Sequence, residues 1–356
     1  MLDLSADAAT LTAQLVDVQS VSGDEAVLAD LVEAALREYA GIEVHRDGNV
    51  VIAHTDLGRA QRVVLAGHLD TVPIAGNLPS RVDGGRLFGC GSTDMKSGVA
   101  VLLRVAHLFG SGALDTRTDL TWIAYDCEEV EAVRNGLYRL ARDAPAKLAG
   151  DLAVLLEPTS GFVEGGCQGT MRAAIRVTGV RAHSARSWLG VNAIHEAAQV
   201  LVRLDAYEPR VVDVDGLTYR EGLNAVGIAG GVAGNVIPDE CTVTVNYRFA
   251  PDLTEAQAEA HIRDVFDGFD VAITDSAPAA RPGLYAELAQ AFVAAVDGGA
   301  PRAKYGWTDV ARFGALGIPA LNFGPGDPDL AHKPEEYVEL DAIAAAEAAL
   351  VRFLSR

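Results

Sequence analysis

Two histidines and five carboxylates stand out by where they fall. His68-Leu69-Asp70 follows the apolar run 63–66, and Glu128-Glu129 follows the run 120–125. Glu157 closes the run 152–156, and His332 comes after the run 321–323. Asp94 sits in a glycine-bearing stretch, Gly89-Cys90-Gly91-Ser92-Thr93-Asp94-Met95-Lys96-Ser97-Gly98, just ahead of a helical pattern. Imidazole and carboxylate are the ligands of hydrolytic zinc, which keeps one position open for water. Two such ions about 3.5–4 Å apart can hold both the attacking and the leaving oxygen, provided they share a ligand. Asp94 is the candidate for the shared carboxylate. His68 and Glu157 would complete one ion, and Glu129 and His332 the other. Asp70, two residues after His68, points the same way from an extended segment and would accept the second imidazole N–H. Glu128 and Glu129 are adjacent, so an extended backbone turns them to opposite sides. Glu129 would then bind metal while Glu128 faces substrate as the general base.

Each piece alone has an ordinary explanation. A single His-x-Asp is usually a surface or core pair, and Glu-Glu a solvated loop pair. An aspartate before a helix is usually an N-cap. Glu157 before Pro158 fits a turn, and His332 beside Lys333 fits an exposed loop. What joins them is position, because ligands of open α/β sheets gather beyond the carboxyl ends of the strands.

The elements that must place these residues are legible in outline. Short continuous apolar runs at 50–53, 63–66, 120–125, 152–156 and 318–323 alternate with helical patterns at 26–39, 97–109, 133–142 and 340–354. That alternation predicts an α/β fold whose mostly parallel sheet is covered on both faces. Ser22 and Glu25 have capping-box spacing ahead of the first helix. The middle of the chain reads differently. Half-exposed strands at 171–180, 224–228, 241–249 and 271–275 are separated by helices at 192–207 and 254–266. This β-α-β-β-α-β order predicts an α+β, ferredoxin-like domain, inserted at 173–280 between the catalytic segments 1–172 and 281–356.

Composition bounds the partners. The 356 residues carry 49 acidic against 29 basic side chains, a formal net charge of −20. Such a surface repels phosphate backbones, so nucleic acid and anionic membranes are not expected partners. No stretch of about 18 apolar residues predicts a membrane span. Residues 1–9 hold two aspartates and no basic residue, unlike a secretory leader. The four cysteines form no CxxC pair, which predicts reduced thiols and a cytoplasmic location.

Taken in order, His68-Leu69-Asp70, the Gly89 to Gly98 loop, Glu128-Glu129, Glu157 and His332 resemble the dinuclear-zinc aminoacylase and carboxypeptidase family of metallopeptidases. The resemblance spans nearly the whole chain. Ser97 departs from it, standing where many members have glycine. It implies a zinc-peptidase catalytic domain, two divalent ions (zinc foremost, cobalt or manganese acceptable), and an inserted domain serving as lid and dimerisation module of a homodimer. It also implies that His183 reaches the partner's active site to hold the oxyanion, and that Asn235 and Arg248 bind substrate carboxylate. Residues 127–132, 306–313 and 322–327 with 330–332 resemble the branch that hydrolyses N-succinyl-LL-2,6-diaminopimelate. Deacetylation of acetylornithine, aminoacylase and carboxypeptidase activity, and a non-catalytic binding relative, are the alternatives. The expected substrate is thus a small N-acyl amino acid bearing carboxylates. Arg312 and Thr308 are further candidates to contact it, although Arg312 is equally placed to pair with Asp309.

Overall fold

A computed structural model describes all 356 residues in two compact units. The first comprises Met1–Gly165, Pro282–Arg302 and Asp309–Arg356; the second comprises Gly166–Arg281 and Ala303–Thr308. These limits lie outside the 173–280 segment read from the sequence, since the strand Gly169–Thr178 belongs whole to the second unit.

In the first unit, six strands run side by side in the order Glu43–Asp47, Val50–His54, Asp119–Tyr125, Arg62–His68, Leu152–Leu155, Ala320–Asn322, with two short strands beyond. Arg62–His68 pairs in parallel with both of its neighbours, and Leu152–Leu155 with Ala320–Asn322. The parallel strands are buried on both faces, every residue of Asp119–Tyr125 included. This is the condition that continuous apolar runs satisfy. The hairpin Glu43–Asp47 with Val50–His54 adds antiparallel pairs at one edge. Helix Ser97–Gly110 lies in the core, and Leu103 within it is fully buried. Its first turn approaches the sheet closely. A Cβ at Gly98 would fall 2.0 Å from the carbonyl oxygen of Leu156, so only glycine fits.

The second unit is a four-stranded antiparallel sheet in the order Gly222–Gly230, Glu240–Phe249, Gly169–Thr178, Asp270–Ala277. That order is the ferredoxin-like arrangement of its β-α-β-β-α-β path. Burial alternates along Gly169–Thr178 and Glu240–Phe249, because one face packs on helices and the other does not. Helix Glu255–Val265 is opened by a true capping box, Thr254 with Gln257.

Two local expectations fail. Ser22 and Glu25 do not cap the helix Ala26–Leu36, whose start has no side-chain cap. The Ser22 hydroxyl donates to Asp70 at 2.7 Å, and Glu25 accepts the backbone N–H of Cys127 at 3.1 Å. The helix expected from residue 133 begins at Gly136, capped by Asn135, because the preceding residues form the loop that carries the glutamate pair. All four cysteines are free and buried.

Candidate active site

The five metal-ligand candidates, with Asp70 and Glu128, all belong to the first unit and gather at the carboxyl ends of its parallel strands. His68 Nε2 lies 3.2 Å from Asp94 Oδ1, while His332 Nε2 lies 3.3 Å from Asp94 Oδ2 and 2.8 Å from Glu129 Oε1. Each oxygen of Asp94 therefore faces a different imidazole. Ligand atoms of His68, Asp94 and Glu157 lie within 4.8 Å of one another, and so do those of Asp94, Glu129 and His332. Two three-ligand sets that share one carboxylate are the donor arrangement a pair of divalent ions requires. The sets differ in depth. His68 and Glu157 are buried, whereas the His332 side chain is 50% exposed.

The electrostatics fit the same reading. Hydrogen bonds to Asp94 and then Glu129 hold the His332 imidazole up to about 10. Burial opposes charge on His68, yet Asp70 and Asp94 together keep its pKa well above the ordinary value. Burial would also raise the Asp94 carboxyl, but His332 and His68 outweigh it and hold it low. The same negative field that favours protonated imidazoles suits cations at these positions.

Asp70 organises the centre from behind. It is fully buried. The Nδ1 atom of His68 lies 3.0 Å from its carbonyl oxygen and 3.4 Å from its carboxylate, which leaves Nε2 facing Asp94. The Asp70 carboxylate also accepts the backbone N–H groups of Glu128 at 3.0 Å and Glu129 at 3.1 Å. Removing one partner from a buried, hydrogen-bonded group costs about 1–3 kcal/mol, and more for a charge. These bonds therefore fix the glutamate loop. They also revise the expected geometry of the pair. Cys127 adopts a left-handed φ of 57° and the chain bends, so Glu128 and Glu129 both turn toward His68 instead of facing opposite ways.

Glu336 was not among the expected site residues. It is buried and accepts the backbone N–H groups of Gly91, Thr93 and Asp94. It thereby ties the turn that presents Asp94 to the segment that carries His332, four residues away. The only trace in the sequence is the second glutamate of Lys333-Pro334-Glu335-Glu336, which reads as solvated charge.

The Glu128 carboxyl is pushed well above its ordinary value. Burial is the main cause, and the charges of Glu157, Asp309 and Glu129 reinforce it against His68. A raised carboxyl is the stronger proton acceptor, which is the direction a general base needs. Asp309 lies behind it, fully buried, accepting from Asn135 at 2.7 Å and from Arg312 at 3.2 Å. Arg312 also lies over the ring of Tyr138. Of the two roles open to Arg312, the pairing with Asp309 is the one formed.

The remaining candidates belong to the second unit. His183 is exposed and its Nδ1 accepts the N–H of Ala185 at 3.0 Å, which leaves Nε2 outward. The carbonyl of Asn235 accepts the N–H of Ser184 at 3.0 Å, so the asparagine and the histidine share one corner. Arg248 is half-buried on the strand Glu240–Phe249 and donates to Asn246 at 3.2 Å. Its pKa is lowered by burial and then by nearby Arg172, with Cys167 acting the other way. Thr308 is buried, and its carbonyl accepts from the Cys167 thiol.

The fold and the paired ligand sets define a dinuclear metallohydrolase architecture. The chain belongs to peptidase family M20/M25/M40, whose family model matches residues 64–356. It is 58% identical over 357 residues, 99% of both chains, to a Mycobacterium tuberculosis protein to which succinyl-diaminopimelate desuccinylase activity is ascribed. It is 49% identical over 363 residues to the succinyl-diaminopimelate desuccinylase of Corynebacterium glutamicum, covering 99% of this chain and 98% of that one. Among solved structures it superposes on an aminopeptidase of Bacillus cereus with a TM-score of 0.80 at 16% identity, covering 99% and 98% of the two chains. A dinuclear metal-binding M20 peptidase of Bacillus subtilis gives 0.73 at 18% identity, covering 97% and 96%. These structures share the fold.

Proposed function

We propose that this chain hydrolyses N-succinyl-LL-2,6-diaminopimelate to succinate and LL-2,6-diaminopimelate. The observation that carries the reading is the pair of ligand sets meeting at Asp94, with the Glu128 carboxylate beside His68 and Glu129. Full-length similarity to the two desuccinylase relatives supports the choice of substrate.

His68, Asp94 and Glu157 would hold one divalent ion, and Asp94, Glu129 and His332 the other. Zinc suits this donor set best, with cobalt or manganese as substitutes. When bound, the ions supply Lewis-acid polarisation of the amide carbonyl and acidify water. Glu128 takes a proton from the attacking water as its oxygen adds to the carbonyl carbon. It then delivers that proton to the departing nitrogen as the C–N bond breaks, which restores the carboxylate. Asp70 keeps the His68 ring and both glutamates in register throughout.

The second unit serves as lid and dimerisation module, and the enzyme works as a homodimer. Support comes from apolar side chains left open on that unit: Trp188 is 76% exposed, Val202 66% and Val226 60%, the last on the edge strand Gly222–Gly230. His183 of one copy stabilises the oxyanion in the other, and Asn235, Arg248 and Thr308 contact substrate carboxylates. Arg248 suits this role because guanidinium binds carboxylate through two parallel hydrogen bonds. Arg312 bonds Asp309 through Nε, and its other guanidinium nitrogens keep it a candidate in that set. No helix is long and apolar enough to cross a membrane, and we place the enzyme in the cytoplasm.

The test is a hydrolysis assay on N-succinyl-LL-2,6-diaminopimelate, N-acetylornithine and N-acyl monocarboxylic amino acids, with and without chelator. Turnover of the succinyl substrate should dominate and vanish on chelation. Faster turnover of N-acetylornithine would overturn the substrate assignment and leave the metal centre standing.

A further inference from the structure

A second cluster of metal-binding side chains lies at the far edge of the same sheet. Glu43 and His45 are two apart on the edge strand Glu43–Asp47 and so share a face. His54 ends the neighbouring strand and pairs directly with Glu43. One Glu43 oxygen lies 3.0 Å from His45 Nε2, and the other lies 3.5 Å from His54 Nε2. The two imidazoles stack nearly parallel, with centroids 5.5 Å apart and planes 8° apart. Ligand atoms of all three residues fall within 4.8 Å of one another. His54 pairs with Thr121, near the start of the strand whose other end, Tyr125, precedes the glutamate loop. Four residues at about 3.3 Å each separate the two places along that strand.

We infer that Glu43, His45 and His54 form a third site for a divalent transition-metal ion, independent of the active centre. Two imidazole nitrogens and one carboxylate oxygen are a zinc-type donor set that leaves a coordination position open. Magnesium and calcium prefer all-oxygen shells and would be discriminated against. The antiparallel register holds the three ligands on backbone that is already paired, so little ordering is needed on binding. A cavity of about 360 Å³ adjoins the histidines, lined also by Arg62, Thr121 and Lys147, and gives an exogenous ligand access to the open position. The two cations facing it are already engaged. Arg62 donates to the carbonyls of Thr55 and Leu120, and Lys147 lies 3.7 Å from Asp47. Neither therefore competes freely for the Glu43 carboxylate.

The test is equilibrium dialysis of the untagged, metal-loaded protein against Zn²⁺, with metal counted per chain. Wild type should hold one equivalent more than either His45→Ala or His54→Ala. Both variants should keep wild-type hydrolysis, and Glu43→Gln should weaken the extra equivalent. With Co²⁺ as probe, that equivalent should add a visible absorption that the histidine variants lack. Mg²⁺ should not displace it. Equal metal content in wild type and both variants would overturn the assignment, whatever number the active centre holds. So would an extra equivalent that both variants retain.

Discussion

Glu336 holds Asp94 through the backbone: its carboxylate accepts the Asp94 N–H at 3.0 Å and that of Thr93 at 2.8 Å. The shared ligand is thus aimed by a residue that touches neither imidazole. Glu336→Ala should weaken metal binding by roughly 10–100-fold, the usual loss when an outer-shell partner is removed. Glu336→Gln, which keeps one acceptor, should lose less. Chelator competition measures the affinities, and circular dichroism checks that both variants fold. Wild-type affinity in the alanine variant would refute the anchoring role.

Glu128 and Glu129 are neighbours to which we assign different duties. Glu128→Gln should retain both ions and lower kcat by about 10²–10⁴-fold, the range for a lost general base. Glu129→Gln should lose metal from the outer set. Metal analysis alongside kcat separates them, and metal loss on Glu128→Gln would exchange their roles.

The two ligand sets should release their ions in a fixed order. His68 and Glu157 are buried, whereas the His332 side chain is half exposed. Under chelation, the ion held by Asp94, Glu129 and His332 should leave first, giving two kinetic phases. His332→Ala should abolish the faster phase alone. A single phase in the wild type would contradict the difference in depth.

Acid stability should depend on Asp119, far from the metal centre. Burial works to raise its carboxyl, but the N–H groups of Leu57 and Arg59 and the Thr55 hydroxyl outweigh it and depress the pKa. A carboxyl lowered on folding stabilises fully above its unfolded value, about 3.9. That stability is lost as pH falls through the lower folded value. Asp119→Asn should therefore destabilise by about 1–3 kcal/mol at pH 7. In urea unfolding the gap should narrow below about pH 4. A gap independent of pH would reject the linkage.

The proposed role of His183 across a dimer can be tested by complementation. His183→Ala and Glu128→Gln should each be nearly inactive alone. Mixed at equal amounts and allowed to exchange subunits, they should recover about a quarter of wild-type activity. Half the dimers are then mixed, and each has one complete site. No recovery after exchange would place His183 outside the partner's site.

The candidate ligands stand out because His68, Glu129 and Glu157 follow strands that their apolar runs announce, with Asp94 ahead of a helix and His332 in a later loop, and it is their shared edge of the sheet, not any one residue, that singles them out. The ferredoxin-like order was legible for a similar reason, since alternation marks half-buried strands. The anchors were not. Ser22, Glu25 and Glu336 bond to groups 48, 102 and 242 residues away, and no local pattern reports such pairings. Ser22 and Glu25 even mimicked a helix cap, whose spacing they share. The inward turn of Glu128 was hidden too, since it depends on the left-handed Cys127 and on Asp70 gripping two successive N–H groups.

The ligand sets draw on both sides of the second unit, with His68, Asp94, Glu129 and Glu157 before it and His332 after it. A growing polypeptide therefore possesses the inner donors long before the outer set can close. If these sets hold the two ions, the outer one can close only after the segment that carries His332 has docked onto the sheet.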